Sequence, residues 1–97
     1  MSVSISTHVL DTATGRPAAG VHVELFQGAG PVASGETKAD GRITNLADGL
    51  EPGKYSLIFH PSSPFFTRVE FEVELVEGHH HIPLLVSPYG CASYRGS

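Results

Sequence analysis

His79-His80-His81-Ile82-Pro83-Leu84-Leu85-Val86-Ser87-Pro88-Tyr89-Gly90-Cys91-Ala92-Ser93-Tyr94-Arg95-Gly96-Ser97 is the stretch from which the fold is read. Two extended segments are split by the turn-forming run Ser87-Pro88-Tyr89-Gly90. In the first, His79, His81, Pro83 and Leu85 alternate with His80, Ile82, Leu84 and Val86, so the two sets face opposite sides of a strand. The second runs from Cys91 to Arg95 and leads into Gly96-Ser97. A segment that merely trails off carries polar filler. Here imidazoles, a phenol, a guanidinium, a hydroxyl and the terminal carboxylate are crowded together, which predicts a functional site.

Upstream, Phe66 to Val76 is the clearest strand, with Val69, Phe71, Val73 and Leu75 inward and Glu70, Glu72 and Glu74 outward. Those glutamates read as a solvated face that, at a sheet edge, also opposes unwanted pairing. Pro61-Ser62-Ser63-Pro64 separates this strand from Tyr55–His60. Val3 to Leu10 alternates too, with His8 on its polar side, and Val21 to Phe26 repeats the pattern. Val32 to Lys38 and Arg42 to Asn45 are weaker, the second entered through the tight turn Asp40-Gly41. Asp11 to Gly20 reads as turn chemistry, and Asp48 to Gly53 as a loop with room for one helical turn. About eight short strands with regularly spaced turns predict an all-β fold, an antiparallel β-sandwich.

Composition narrows the function classes. The 97 residues predict a single domain, residues 1–97. Only 16% of residues are charged and the net charge is −4, which argues against nucleic acid as a partner. No run approaches the roughly 20 apolar residues a membrane span needs. The first residues lack the basic region and apolar core of a secretory signal. The single cysteine, Cys91, leaves no internal disulfide, so a cytoplasmic setting is expected.

Ser6-Thr7-His8-Val9-Leu10-Asp11, Thr14-Gly15-Arg16-Pro17-Ala18, Thr37 with Asp40-Gly41-Arg42, His79-X-His81-Ile82-Pro83-Leu84-Leu85-Val86-Ser87-Pro88-Tyr89-Gly90 and the closing Ser93-Tyr94-Arg95-Gly96-Ser97 together resemble the transthyretin-like 5-hydroxyisourate hydrolases. The resemblance spans essentially the whole chain in one order. It implies a transthyretin-like β-sandwich assembled as a homotetramer, a dimer of dimers, with active sites in the channel between dimers. It also implies catalytic roles for His8, Arg42 and His81, with Tyr94, Arg95 and Ser97 closing the site over substrate. The implied reaction is hydrolysis of a cyclic amide in 5-hydroxyisourate, during urate degradation, with no cofactor. Two departures stand out. The family's short helix is expected to be missing after His60, and Cys91 and Ala92 replace an aromatic and a small polar residue.

The residue types suit that chemistry. A histidine titrates near neutral pH and can activate water. An arginine stays cationic and offers a planar fork of donors to a developing oxyanion. His81 and His8 both remain candidates for the base. Each residue also has a plainer reading: His8 as an exposed strand histidine, Arg42 as a solvated charge after a turn. His79 and His81 share a strand face and could hold zinc or copper, although no third ligand shows metal spacing. A hormone-carrier function of the transthyretin kind is the other alternative. His79 is expected beside His81 in the same groove, His22 and His60 on the surface or in structural roles, and Cys91 as a small strand residue.

Overall fold

The computed structural model describes residues 2–96, and among them nine strands and no helix. The strands are β1 (Val3–Asp11), β2 (Arg16–Pro17), β3 (His22–Gln27), β4 (Gly30–Glu36), β5 (Arg42–Leu50), β6 (Gly53–His60), β7 (Val69–Leu75), β8 (Gly78–Ser87) and β9 (Gly90–Ser93). They form two sheets. The first runs β2-β1-β8-β9, with β5 also paired to β1, and the second runs β4-β3-β6-β7. The odd-numbered apolar residues of β1 and β3 (Val3, Ile5, Val9, Val23 and Leu25) meet Leu57, Phe59, Leu75 and the even-numbered Leu84 in the space between the sheets. Period-two alternation puts these side chains on one face of each strand, and burying them drives the sheets together.

One pairing departs from the expected antiparallel pattern. β1 and β8 run parallel, joining Ser4 with His79, Ser6 with His81 and Thr7 with Ile82. Strands at opposite ends of the sequence need no tight turn between them, so nothing local fixes their direction. The Thr7 hydroxyl, buried in this seam, donates to the Ile82 carbonyl at 2.7 Å.

Other boundaries differ from the sequence pattern for physical reasons. β5 continues to Leu50 instead of stopping at Asn45, because register shifts opposite Val3, Ile5 and Thr7 let it carry extra residues without losing β1. Such bulges break the alternation by which strands are read, and no helical turn forms at Asp48–Gly53. Arg16–Pro17, expected as pure turn, adds a two-residue strand against Leu10 and Asp11. The missing helix is borne out, but the connection is longer than Pro61–Pro64. The Ser63 hydroxyl oxygen accepts the Phe65 and Phe66 amides at 3.2 and 3.1 Å, holding Phe66 out of the strand until Val69. It also lies 3.2 Å from the Pro88 carbonyl, tying this loop to the β8–β9 turn. β7 is a sheet edge, so Glu70, Glu72 and Glu74 stand where charge discourages stray pairing.

Candidate active site

The polar parity of three adjacent strands of the first sheet falls on its outer face, away from the core. β1 supplies Ser4, Ser6 and His8, β8 supplies His79 and His81, and β5 supplies Arg42 and Thr44. Register does the rest. His8 stands opposite Arg42 in the β1–β5 ladder, and Ser6 opposite His81 in the β1–β8 ladder. A cleft of about 110 Å³ opens between them, lined by Ser6, Thr7, Arg42, Ile43, Thr44 and His81.

Arg42 reaches this place through the turn before it. The Gly41 amide donates to the Lys38 carbonyl at 2.8 Å, and the Gly41 carbonyl accepts the Val9 amide at 2.8 Å. Gly41 has φ +76°, and a Cβ there would lie 2.6 Å from the Val9 carbonyl oxygen and 2.9 Å from Pro17 Cβ. Only glycine lets this turn press against β1 and deliver Arg42 beside His8. Thr37, part of the same sequence motif, is structural: its hydroxyl donates to the Ala18 carbonyl at 2.7 Å and accepts the Val21 amide at 2.9 Å.

His81 is half-buried, and its pKa is pushed below the ordinary histidine value of 6.5. Burial is the main cause, followed by the positive charge of Arg42 and then by His8 and His79. At neutral pH the ring is therefore an uncharged acceptor. The tail packs directly on it: the Gly96 amide donates to the His81 carbonyl at 2.7 Å, and a Cβ on Gly96 would fall 2.7 Å from His81 Cδ2.

The structure thus gathers His8, Arg42, His79 and His81 on one face; of these, Arg42 and His81 line the cleft itself, while His79 is joined to His81 through Ser6. Within one copy it does not bring Tyr94 and Arg95 to that cleft. They line a larger one of about 350 Å³, with Phe71 to Leu75 of β7, His80, Ile82 and Ser93, at the open side of the sandwich. Ser97 lies outside the described residues. His80 is buried and closes the β7–β8 turn, its Nε2 bonded at 2.8 Å to the Val76 carbonyl. Ser4, Ser6 and Gly96 were not singled out from the sequence. The parity of Ser4 and Ser6 with His8 was visible, but the neighbouring strand was not.

A two-sheet sandwich of transthyretin type, bearing a histidine–arginine cleft on one outer face, defines the class. The family described as "Transthyretin: HIUase/Transthyretin family" matches residues 5–96, and the chain belongs to this family. It is 36% identical to 5-hydroxyisourate hydrolase 2 of Rhizobium meliloti, covering 96% of this chain and 95% of that protein. The solved structure of Klebsiella pneumoniae 5-hydroxyisourate hydrolase superposes with a TM-score of 0.90 at 36% identity, covering 98% of this chain and 99% of the other. Sea bream transthyretin, solved in complex with thyroxine, superposes with a TM-score of 0.86 at 26% identity, over 95% of this chain and 93% of the other.

Proposed function

We propose that the protein is a 5-hydroxyisourate hydrolase of urate degradation, opening a cyclic amide to give 2-oxo-4-hydroxy-4-carboxy-5-ureidoimidazoline. The observation that carries this is the convergence of His8, Arg42 and His81 on one face. It occurs in a chain that matches proteins named 5-hydroxyisourate hydrolase over nearly its whole length.

His81 is the base, because burial and Arg42 keep it neutral where an ordinary histidine begins to charge. It takes a proton from water as the water oxygen attacks the amide carbonyl carbon. Arg42 holds the oxyanion that develops on the carbonyl oxygen. Collapse breaks the ring C–N bond, and the proton held by the imidazole passes to the departing nitrogen. His8, across the ladder from Arg42, orients the planar substrate by hydrogen bonding. The chain acts as one domain and needs no cofactor for these steps.

The working form is a homotetramer, a dimer of dimers. Two features support it: β7 and β9 end their sheets with unpaired edges, and the larger cleft between them is open to a second copy. Tyr94, Arg95 and Ser97 close the site over substrate in that assembly. An exposed free thiol at Cys91 suits the reducing cytoplasm.

A carrier function has one observation in its favour, the likeness to a transthyretin solved with thyroxine. The imidazoles, guanidinium and hydroxyls of this face suit a polar, hydrogen-bonding ring better than an apolar hormone. The deciding experiment is ultraviolet monitoring of freshly generated 5-hydroxyisourate. Its decay should accelerate in proportion to added protein, whereas decay at the spontaneous rate with folded protein would rule the hydrolase out. A chelator should leave the rate unchanged, and loss of activity would restore a metal at His79 and His81. Light scattering that showed an active monomer would overturn the tetramer.

A further inference from the structure

A hydrogen-bonded run crosses the outer face of the first sheet that the hydrolytic steps above do not use. Ser4 Oγ lies 2.7 Å from His79 Nδ1, and Ser6 Oγ lies 2.9 Å from His79 Nε2. Ser6 Oγ also lies 2.8 Å from His81 Nδ1. The parallel register creates this ladder, by setting Ser4 beside His79 and Ser6 beside His81 on one face. Ser6 is only 6% exposed, whereas His79 reaches solvent. A buried hydroxyl joins an inner imidazole to an outer one.

Counting protons constrains the run. The Ser6 hydroxyl carries one hydrogen and touches a nitrogen of each ring, so it donates to one imidazole and accepts from the other. If it donates to His81, then His81 Nε2 holds the ring proton and cannot take one from water. If it donates to His79 Nε2, it accepts the Nδ1–H of His81, and His81 Nε2 is bare. In that second arrangement His79 Nδ1–H donates to Ser4, so every group on the run is satisfied. The second is favoured twice over: the Ser6 oxygen anchors the Nδ1–H it requires, and the Arg42 guanidinium, sharing the cleft with His81, disfavours an N–H on the other nitrogen without fixing the ring by itself.

We propose that Ser6 and His79 are positioning residues that hold His81 in its Nδ1–H tautomer and carry away the positive charge it acquires. When Nε2 takes a proton from water, the Nδ1 proton moves to Ser6 Oγ and the Ser6 proton moves to His79 Nε2. The charge leaves the neighbourhood of Arg42 for a ring in contact with solvent. Returning the Nε2 proton to the departing nitrogen draws the two relayed protons back along the same path, so protons balance over the cycle. This inference rests on the hydrolase function for its kinetic consequence, but not for its structural one.

The test is nitrogen–proton correlation NMR of the histidine rings in the intact protein, together with turnover of 5-hydroxyisourate. The wild type should show neutral His81 protonated at Nδ1, and Ser6→Ala should shift it toward the Nε2–H tautomer. The same variant should lower kcat by roughly 10–100-fold with little change in KM, the loss typical when a partner orienting a working imidazole is removed. Ser6→Thr, which keeps the hydroxyl, should restore the tautomer. His79→Gln still accepts from Ser6 but cannot hold the charge, so it should keep the tautomer and lose kcat. An Nε2–H tautomer in the wild type, or an unchanged one in Ser6→Ala, overturns the positioning role. Full kcat in His79→Gln overturns the charge-carrying role. If no form turns over substrate while the Nδ1–H tautomer depends on Ser6, the hydrolase function fails and the positioning role stands.

Discussion

The two sheets each carry neighbouring histidines on their outer faces, and their surroundings differ in sign. On the first, His79 and His81 lie among hydroxyls with Arg42 close by. On the second, His22 and His60 stand opposite each other in the β3–β6 ladder, their rings stacked with centroids 5.5 Å apart. Here the partner is a carboxylate: His60 Nε2 lies 2.7 Å from Glu24 Oε1, with His22 4.0 Å from the other oxygen. The Glu24 carboxyl is held below its ordinary value of 4.5, chiefly by the hydrogen bond from His60. One residue type thus yields two behaviours. Burial and a nearby cation keep one imidazole able to accept a proton, while a carboxylate holds another by a surface hydrogen bond of small worth.

The largest effects are expected where that contrast bears on turnover. His81→Ala should reduce kcat/KM by about 10²–10⁴-fold, the usual range for losing a positioned acid–base group. Arg42→Lys keeps the charge but loses the planar fork, so both KM and kcat should worsen in steady-state assays. Next comes the turn that delivers Arg42. Gly41→Ala forces a Cβ to within 2.6 Å of the Val9 carbonyl oxygen at a positive φ, and should destabilise the fold by roughly 1–3 kcal/mol in denaturant titrations.

A smaller effect sharpens the electrostatic side. With neutral His81 as the proposed base and its pKa lowered, activity should persist below pH 6.5 and fall only as pH drops through that depressed value. Arg42→Gln removes one of the causes and should move the acid limb of kcat/KM toward higher pH. A limb that moved the other way would contradict the assigned source of the shift. The smallest effect belongs to the second sheet. Glu24→Gln removes the carboxylate that His60 hydrogen-bonds on the other sheet, and turnover should stay within about twofold of wild type.

Much of this was legible in the sequence where local rules apply. Alternation along Val3–Leu10 and His79–Val86 assigned the polar and apolar faces, and it correctly separated His81 from His80. Asp40-Gly41 announced the turn because a tight reversal needs positive φ. What was hidden depends on strands far apart in sequence. The parallel seam between β1 and β8 decides that Ser6 touches His79 and His81, and no residue pattern states which strand becomes the neighbour of which. The bulged extension of β5 was hidden for a related reason, since each register shift interrupts the alternation. Tyr94 and Arg95, joined to the site by motif alone, line the open side of the sandwich instead within one copy.

Both faces can be challenged in one measurement. The rate of 5-hydroxyisourate decay should be compared for His8→Ala/His81→Ala and for His22→Ala/His60→Ala, each checked for folding by circular dichroism. The first pair should bring decay close to the spontaneous rate, and the second should leave it within about twofold of wild type, as for surface changes away from a site. Near-normal decay with the first pair, or an equal loss with both, would contradict the placement of the active site on the outer face of the first sheet.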